Sequence, residues 1–308
     1  MLANFFDKSK PINFIVILVF FLCYFFLALF NVFSIADLSF PFVLEKAALL
    51  LFILLLFFLF NFIVSKNKLT LDNSYAFLLF VVLFGLFPET FFNAKVLLIN
   101  IVSFFSFRKI YSLRNSNGIF EKLFDASFWI GVVFIFEPFF AVFFGVLYFA
   151  IFLFQKVTFR TILIPVLGFS VPHFLYFIYC FLIDRTDEFK QLFSWYTNYD
   201  LDFYQNARFA IPLLIFAVLT LLSLVITLPR TLSISGKRRD NYLILVFHLL
   251  ISFLFLWLLK IRNGSELIFV FFPIATITAN WLQSINNKRI KNVLLVFLLF
   301  GPFLMAIF

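Results

Sequence analysis

The chain has 308 residues, of which 64% are hydrophobic and only 13% charged, and its mean hydropathy is +1.10. A soluble fold has nowhere to bury so much apolar surface, so lipid must be the solvent for most of it. The formal charge of +9 is scattered over short gaps and not gathered on one face, which argues against a nucleic-acid partner.

Eleven apolar stretches follow one another, near 12–33, 43–64, 74–91, 93–107, 121–136, 139–154, 161–183, 209–228, 241–259, 267–284 and 293–308. The pattern predicts an all-α, polytopic transmembrane helical bundle of about 11 spans, one transmembrane domain over 1–308. The stretches 93–107 and 139–154 fall below the roughly 20 residues that cross a bilayer upright. The unit 121–154 turns at Glu137–Pro138 and reads either as two short crossings or as a re-entrant hairpin. Asp125, in DASFW, reads as a helix N-cap.

The gaps sort by charge. Alternate gaps hold 17 of the 24 Lys+Arg and 5 of the 15 Asp+Glu; the others hold 7 and 10. By the positive-inside rule the first set is cytoplasmic, which puts the N-terminus inside and the C-terminus outside. The expected location is the inner (cytoplasmic) membrane. The first apolar stretch does not read as a cleaved leader: it is long, lacks a small-residue cleavage site, and more spans follow.

The longest outside gap is 184–208. Phe189, Leu192, Phe193 and Tyr196 repeat at helical spacing among acids, which predicts a short amphipathic helix in the outer membrane interface or an aromatic belt that anchors the loop. The 57 Phe read as lipid-facing filler. Cys23 and Cys180 fall inside apolar stretches and read as small apolar filler.

Chemistry-bearing groups inside the spans are few. His173 and His248 lie at unlike depths, about 18 Å and about 11 Å from the inner boundary at the usual helical rise, which argues against a bis-His haem; interhelical hydrogen bonding fits each better. No phosphate-binding Gly-rich loop, zinc-protease helix, CxxC or nucleophile elbow is present, so no nucleotide is expected. What remains is a ring of polar groups at the outside ends of the spans. Asp37, Glu89 and Glu137 are the candidate catalytic carboxylates. Lys46, Lys95, Arg262 and Glu266 are the candidate substrate-binding groups, because a carboxylate can act as base and Lys or Arg can hold a phosphate. The bland reading of the same ring is that short turns must carry something polar. The cofactor stays open: carboxylates admit a divalent metal, but no residue is assigned to one.

FDASFWIGVVFIFEPFFAVFFGVLYFAIFLFQKVTFRTILIPVLGFSVPHFLYFIYCFLID resembles the middle of polyprenyl-phosphate-dependent glycosyltransferases of the GT-C fold, with Gly131 and Pro138 at the positions of their hairpin turn. YAFLLFVVLFGLFPETFFNAKVLLINIVSFFSFRKIYSLR resembles their preceding helix pair, and RNGSELIFVFFPIATITANWL their Arg-then-Pro helix. The first outside loop departs from that family: it has about ten residues and Asp37 alone in place of an acidic pair. As a whole the chain also resembles uncharacterised, Phe-rich inner-membrane proteins of Bacteroidota.

The resemblance implies a GT-C-like core that handles a lipid-linked sugar or polyprenyl-phosphate at the outer leaflet, with Asp37 as base and Arg262 with Lys46 or Lys95 on the lipid phosphate. If the protein is an enzyme, it is then a glycosyltransferase. Two alternatives stand beside it. One is a non-catalytic subunit or scaffold of a cell-envelope complex, with other envelope membrane proteins as partners. The other is a secondary transporter or flippase.

Overall fold

A computed structural model describes residues 2–33, 39–115, 117–194, 202–233, 236–259 and 262–305, and every regular element among them is helical. In chain order these are α1 (Leu2–Phe6), α2 (Pro11–Val32), α3 (Phe40–Asn67), α4 (Tyr75–Leu86), α5 (Ala94–Ser112), α6 (Ile119–Phe136) and α7 (Phe144–Leu153). They continue as α8 (Phe159–Leu182), α9 (Thr186–Gln191), α10 (Ala207–Leu232), α11 (Lys237–Leu258), α12 (Ile268–Ser284) and α13 (Lys288–Met305). Short 3-10 turns at Pro88–Phe91, Pro138–Phe143, Asp202–Gln205 and Ser265–Leu267 punctuate them.

A helix stands at each of the eleven apolar stretches. Six of the described helices are long and apolar enough to cross a membrane: α2, α3, α8, α10, Arg239–Leu258 of α11, and α12 taken from Ser265. By length and composition the chain is thus a multi-pass membrane protein. Others are shorter. The twelve residues of α4 rise only about 18 Å, and the following 3-10 turn adds about 8 Å. The turn Pro138–Phe143 and α7 together rise about 27 Å.

Local sequence explains where helices begin and end. Pro41 follows the Ser39 N-cap of α3, whose side chain accepts from Phe42 N–H, and Pro is tolerated there because that N–H has no helical partner. Thr158 and Thr161 form a reciprocal capping box at the head of α8. Asp125 is not an N-cap. Helix α6 already begins at Ile119, so Asp125 lies inside it and pairs with Lys109 at 2.5 Å.

The helices cluster into two compact units. The first comprises 1–97, 201–238 and 262–308. At its centre is α4, surrounded by α2, α3, α12 and α13. Ten of the twelve α4 residues and thirteen of the seventeen in α12 are buried. A short helix is tolerable in this position because protein and not lipid surrounds its ends. Phe fills much of this core as well as facing outward: the rings of Phe60 and Phe80 stack at 4.0 Å. Tyr24 of α2 crosses Gly85 of α4, where a Cβ would stand 2.6 Å from its ring, and donates to Leu299 O of α13 at 2.6 Å.

The second unit comprises 98–200 and 239–261. Its tightest contact is α6 against α8. Gly131 and Gly168 permit it: a Cβ on Gly131 would stand 2.6 Å from the Pro172 ring. Small residues at such crossings let backbones approach and recover dispersion energy that lipid cannot supply. Cys180 is buried there as a free thiol, whereas Cys23 of the first unit is exposed. Helix α9 stands inside the 184–208 gap. Its Phe189 ring lies 5.2 Å from Phe177 of α8, and Phe193 just after it lies 6.0 Å from Phe134 of α6. Asp187 and Lys190 pair on its exposed side at 2.7 Å. Tyr196, the fourth residue of the repeat, lies outside the described residues.

Candidate functional site

Two 3-10 turns of the first unit meet at one end of it, Pro88–Phe91 after α4 and Ser265–Leu267 before α12. Pro88 cannot continue α4, because its nitrogen has no proton to donate. Gly264 turns the chain at φ +86, a left-handed conformation that side chains resist. A Cβ there would also stand 3.0 Å from the Phe209 ring. These two breaks bring Glu89 and Glu266 into one cluster.

Each carboxylate has a distinct set of partners. Glu89 Oε1 meets Arg208 Nη2 at 3.1 Å, while its Oε2 is buried with no hydrogen-bond partner among the described residues. Glu266 is 5% exposed. It accepts the Tyr204 hydroxyl at Oε1, and the Asn263 N–H at Oε2 at 3.2 Å. A polar brace ties the turns: Asn93 Nδ2 donates to Ser265 Oγ at 2.8 Å, and Ser265 Oγ donates to Asn263 Oδ1 at 2.6 Å. Arg262 contributes positive potential at Tyr204. Phe203 and Phe209, 4.3 Å apart, form an aromatic wall beside Gly264.

Burial dominates the electrostatics of Glu89. Burial holds the Glu89 carboxyl above the usual carboxylate range; the charge of Glu266 pushes the same way, while a hydrogen bond from its own backbone and Arg208 oppose. An Arg partner ordinarily lowers a carboxyl pKa, so here desolvation wins. The Tyr204 hydroxyl is pushed far up, by burial first and then by Glu266, which keeps it a proton donor.

An apolar crevice opens beside the cluster. Tyr24 and Ala28 of α2, Leu86 of α4, Pro88, and Pro302 of α13 line it, and among the described residues Arg208 is its one charged lining residue. Arg208 thus touches Glu89 on one side and the crevice on the other.

Of the residues singled out by sequence, Glu89 and Glu266 come together with Arg262 close by. Lys46 is buried in the first unit, paired with Glu45 at 2.7 Å and set over the Phe33 ring at 4.6 Å and over the ring of Phe92, which follows the Pro88–Phe91 turn, at 5.5 Å. Lys95 is exposed in the first turn of α5. Glu137 caps the end of α6 in the second unit. Asp37 lies outside the described residues.

Sequence reasoning did not single out Arg208 and Tyr204. A signal was present: Arg208 falls in the first turn of α10, where the helix dipole disfavours a cation. A cation held at that position needs a carboxylate nearby.

Among the described residues no group of three or more His, Cys, Asp or Glu side chains could hold a metal ion. Arg208 also occupies one oxygen of Glu89.

Comparison with known protein families, with characterised proteins and with solved structures finds no match.

Proposed function

We propose that the protein binds a lipid-linked phosphate, with or without its sugar, at the cluster formed by Glu89, Glu266, Arg208 and Arg262. The observation that carries this reading is the position of Arg208, a guanidinium at the mouth of an apolar crevice and 3.1 Å from a carboxylate of raised pKa. The guanidinium suits a phosphate, and the apolar side chains beside it, Leu86, Pro88 and Pro302, suit contact with a hydrocarbon chain lying against them. A carboxyl with a raised pKa suits proton transfer to or from a sugar hydroxyl. Tyr204 and Asn263 fix Glu266 as an acceptor for a second hydroxyl.

In this reading the enzyme is a GT-C-like glycosyltransferase using a polyprenyl-phosphate sugar, and the cluster faces the outer leaflet of the inner membrane. Asp37 is the base that the resemblance implies, and Glu89 is proposed beside it, because burial and the charge of Glu266 raise its carboxyl above the usual carboxylate range. The test is transfer from a radiolabelled polyprenyl-phosphate sugar by purified protein in nanodiscs. Wild type is expected to turn over, and Glu89→Gln to lose at least 100-fold, in line with removal of a general base. Wild-type protein that binds the donor but transfers nothing would reject the enzyme and leave the non-catalytic envelope subunit.

A further inference from the structure

We propose that the seam between α5 and α6 binds an anionic phospholipid of the inner leaflet, with the phosphate on Lys109 and Lys122 and an acyl chain along the apolar residues beyond them. The two helices meet in one register. Lys122 Nζ of α6 donates to Ser112 O of α5 at 3.0 Å, Lys109 pairs with Asp125 at 2.5 Å, and the Phe105 ring lies 5.1 Å from that of Trp129. Successive pairs are three and then four residues apart on each helix, so they fall on one face of each. Beneath them the buried Ser106 Oγ donates to Ala126 O at 2.9 Å.

The same face continues to Val102 and Leu98 on α5 and to Val132 and Phe136 on α6. None of these four residues is buried, and neither is Phe105 or Trp129. Leu98 and Phe136, at the far end, are 45% and 56% exposed. The seam is thus charged at one end and apolar along the rest. From Lys109 to Leu98 the helix rises about 16 Å, close to one leaflet of a hydrocarbon core about 30 Å thick. Trp129 stands next to the charged pair, at the level where indole rings gather in membranes.

The charged end carries more cations than acids: segment 108–125 holds Arg108, Lys109, Arg114 and Lys122 against Glu121 and Asp125. Lys109 and Lys122 come from different helices and are close enough to repel. An ammonium has three protons to donate. Lys109 gives one to Asp125, and Lys122 gives one each to Ser112 O and Asn115 O. Each therefore keeps capacity for a phosphate oxygen, and a phosphate on both relieves their repulsion. The charge sorting of the gaps assigns this end to the cytoplasmic face, where basic sites between helices hold anionic headgroups. The occupant is a lipid and not a free phosphate, because the charged end runs on into an apolar stripe that a chain covers and a bare phosphate does not.

This inference needs nothing of the proposed function. The probe is phosphatidylglycerol with brominated chains, which quenches tryptophan on contact. Full-length protein carrying Trp195→Phe, Trp257→Phe and Trp281→Phe keeps Trp129 alone of its four tryptophans, and is placed in nanodiscs of phosphatidylcholine. Each lysine near the surface contributes about fivefold. Brominated phosphatidylglycerol is therefore expected to half-quench Trp129 at no more than about a tenth of the mole fraction that brominated phosphatidylcholine needs. Lys109→Gln combined with Lys122→Gln should lose that preference. Lys109→Arg combined with Lys122→Arg should keep it, as should Lys288→Gln, which removes a cation of α13. Equal quenching by the two lipids when both lysines are present would overturn the proposal without recourse to any lysine variant. A preference that survives the paired Gln substitutions would overturn the assignment to these lysines. A preference abolished by sodium phosphate but not by sodium chloride of equal ionic strength would mark a free-phosphate site and overturn the lipid assignment.

Discussion

Gly168 of α8 lies so close to Phe124 of α6 that a Cβ on the glycine would stand 2.6 Å from the Phe124 carbonyl oxygen. Backbone cannot yield at that distance as a flexible side chain can. Gly168→Ala is therefore expected to separate the two helices and destabilise the second unit by about 1–3 kcal/mol. The check is thermal unfolding in detergent, with Gly301→Ala as control, because a Cβ on Gly301 meets only ordinary contact at 3.8 Å. Equal melting of both variants would show that the α6–α8 crossing is looser than described.

Tyr111 of α5 meets Nδ1 of His248 of α11 at 2.9 Å, and both side chains are fully buried. The Phe107 and Phe143 rings flank the imidazole at 4.3 and 5.7 Å. Interhelical hydrogen bonding is thus the observed role of His248. Removing one partner of a buried hydrogen bond costs about 1–3 kcal/mol. Tyr111→Phe is expected to lower the melting point accordingly, and an unchanged melting point would argue that the bond contributes little.

Glu89 gives the folded state a pH dependence of definite sign. A carboxyl whose pKa is raised on folding contributes stability at pH below its unfolded value and loses it as the pH rises through the folded value. Burial raises Glu89, so wild type should lose stability relative to Glu89→Gln as the pH climbs from about 4 toward neutrality. Melting curves of both proteins over that range test this. A gap that closes with rising pH would reverse the assignment.

The charge sorting of the gaps carries its own expectation. Reporter fusions after Lys68, Arg114 and Arg239 are expected to face the cytoplasm, and fusions after Asp37 and Asp200 the outside. A cytoplasmic reporter at 308 would mean that one or more of the shorter helices does not cross.

The helices were legible because apolar length and charged gaps report them directly. Their status as spans was less so. Apolar residues read alike whether the solvent is lipid or protein, so α4 and α12 gave no sign that they are wrapped by neighbours, apart from the shortness of α4. The polar ring at the turns was also visible, and Glu89 with Glu266 came from it. Their partners were not, because the pairing of Arg208 with Glu89 joins positions 119 residues apart, and periodicity carries no information over that separation. Asp125 was misread for a related reason: an acid near a helix start resembles a cap until its ion partner on another helix is seen.

The central helix of the first unit has a consequence for how the protein is made. Helix α4 emerges from the ribosome early, but α12, one of its principal neighbours, follows about 180 residues later, roughly ten to forty seconds at ordinary translation rates. Throughout that interval the nascent chain holds a helix too short for the bilayer with one flank still uncovered. A chaperone or protease that surveys the membrane would meet its substrate in that window, and a premature stop before α12 would leave α4 permanently in that state.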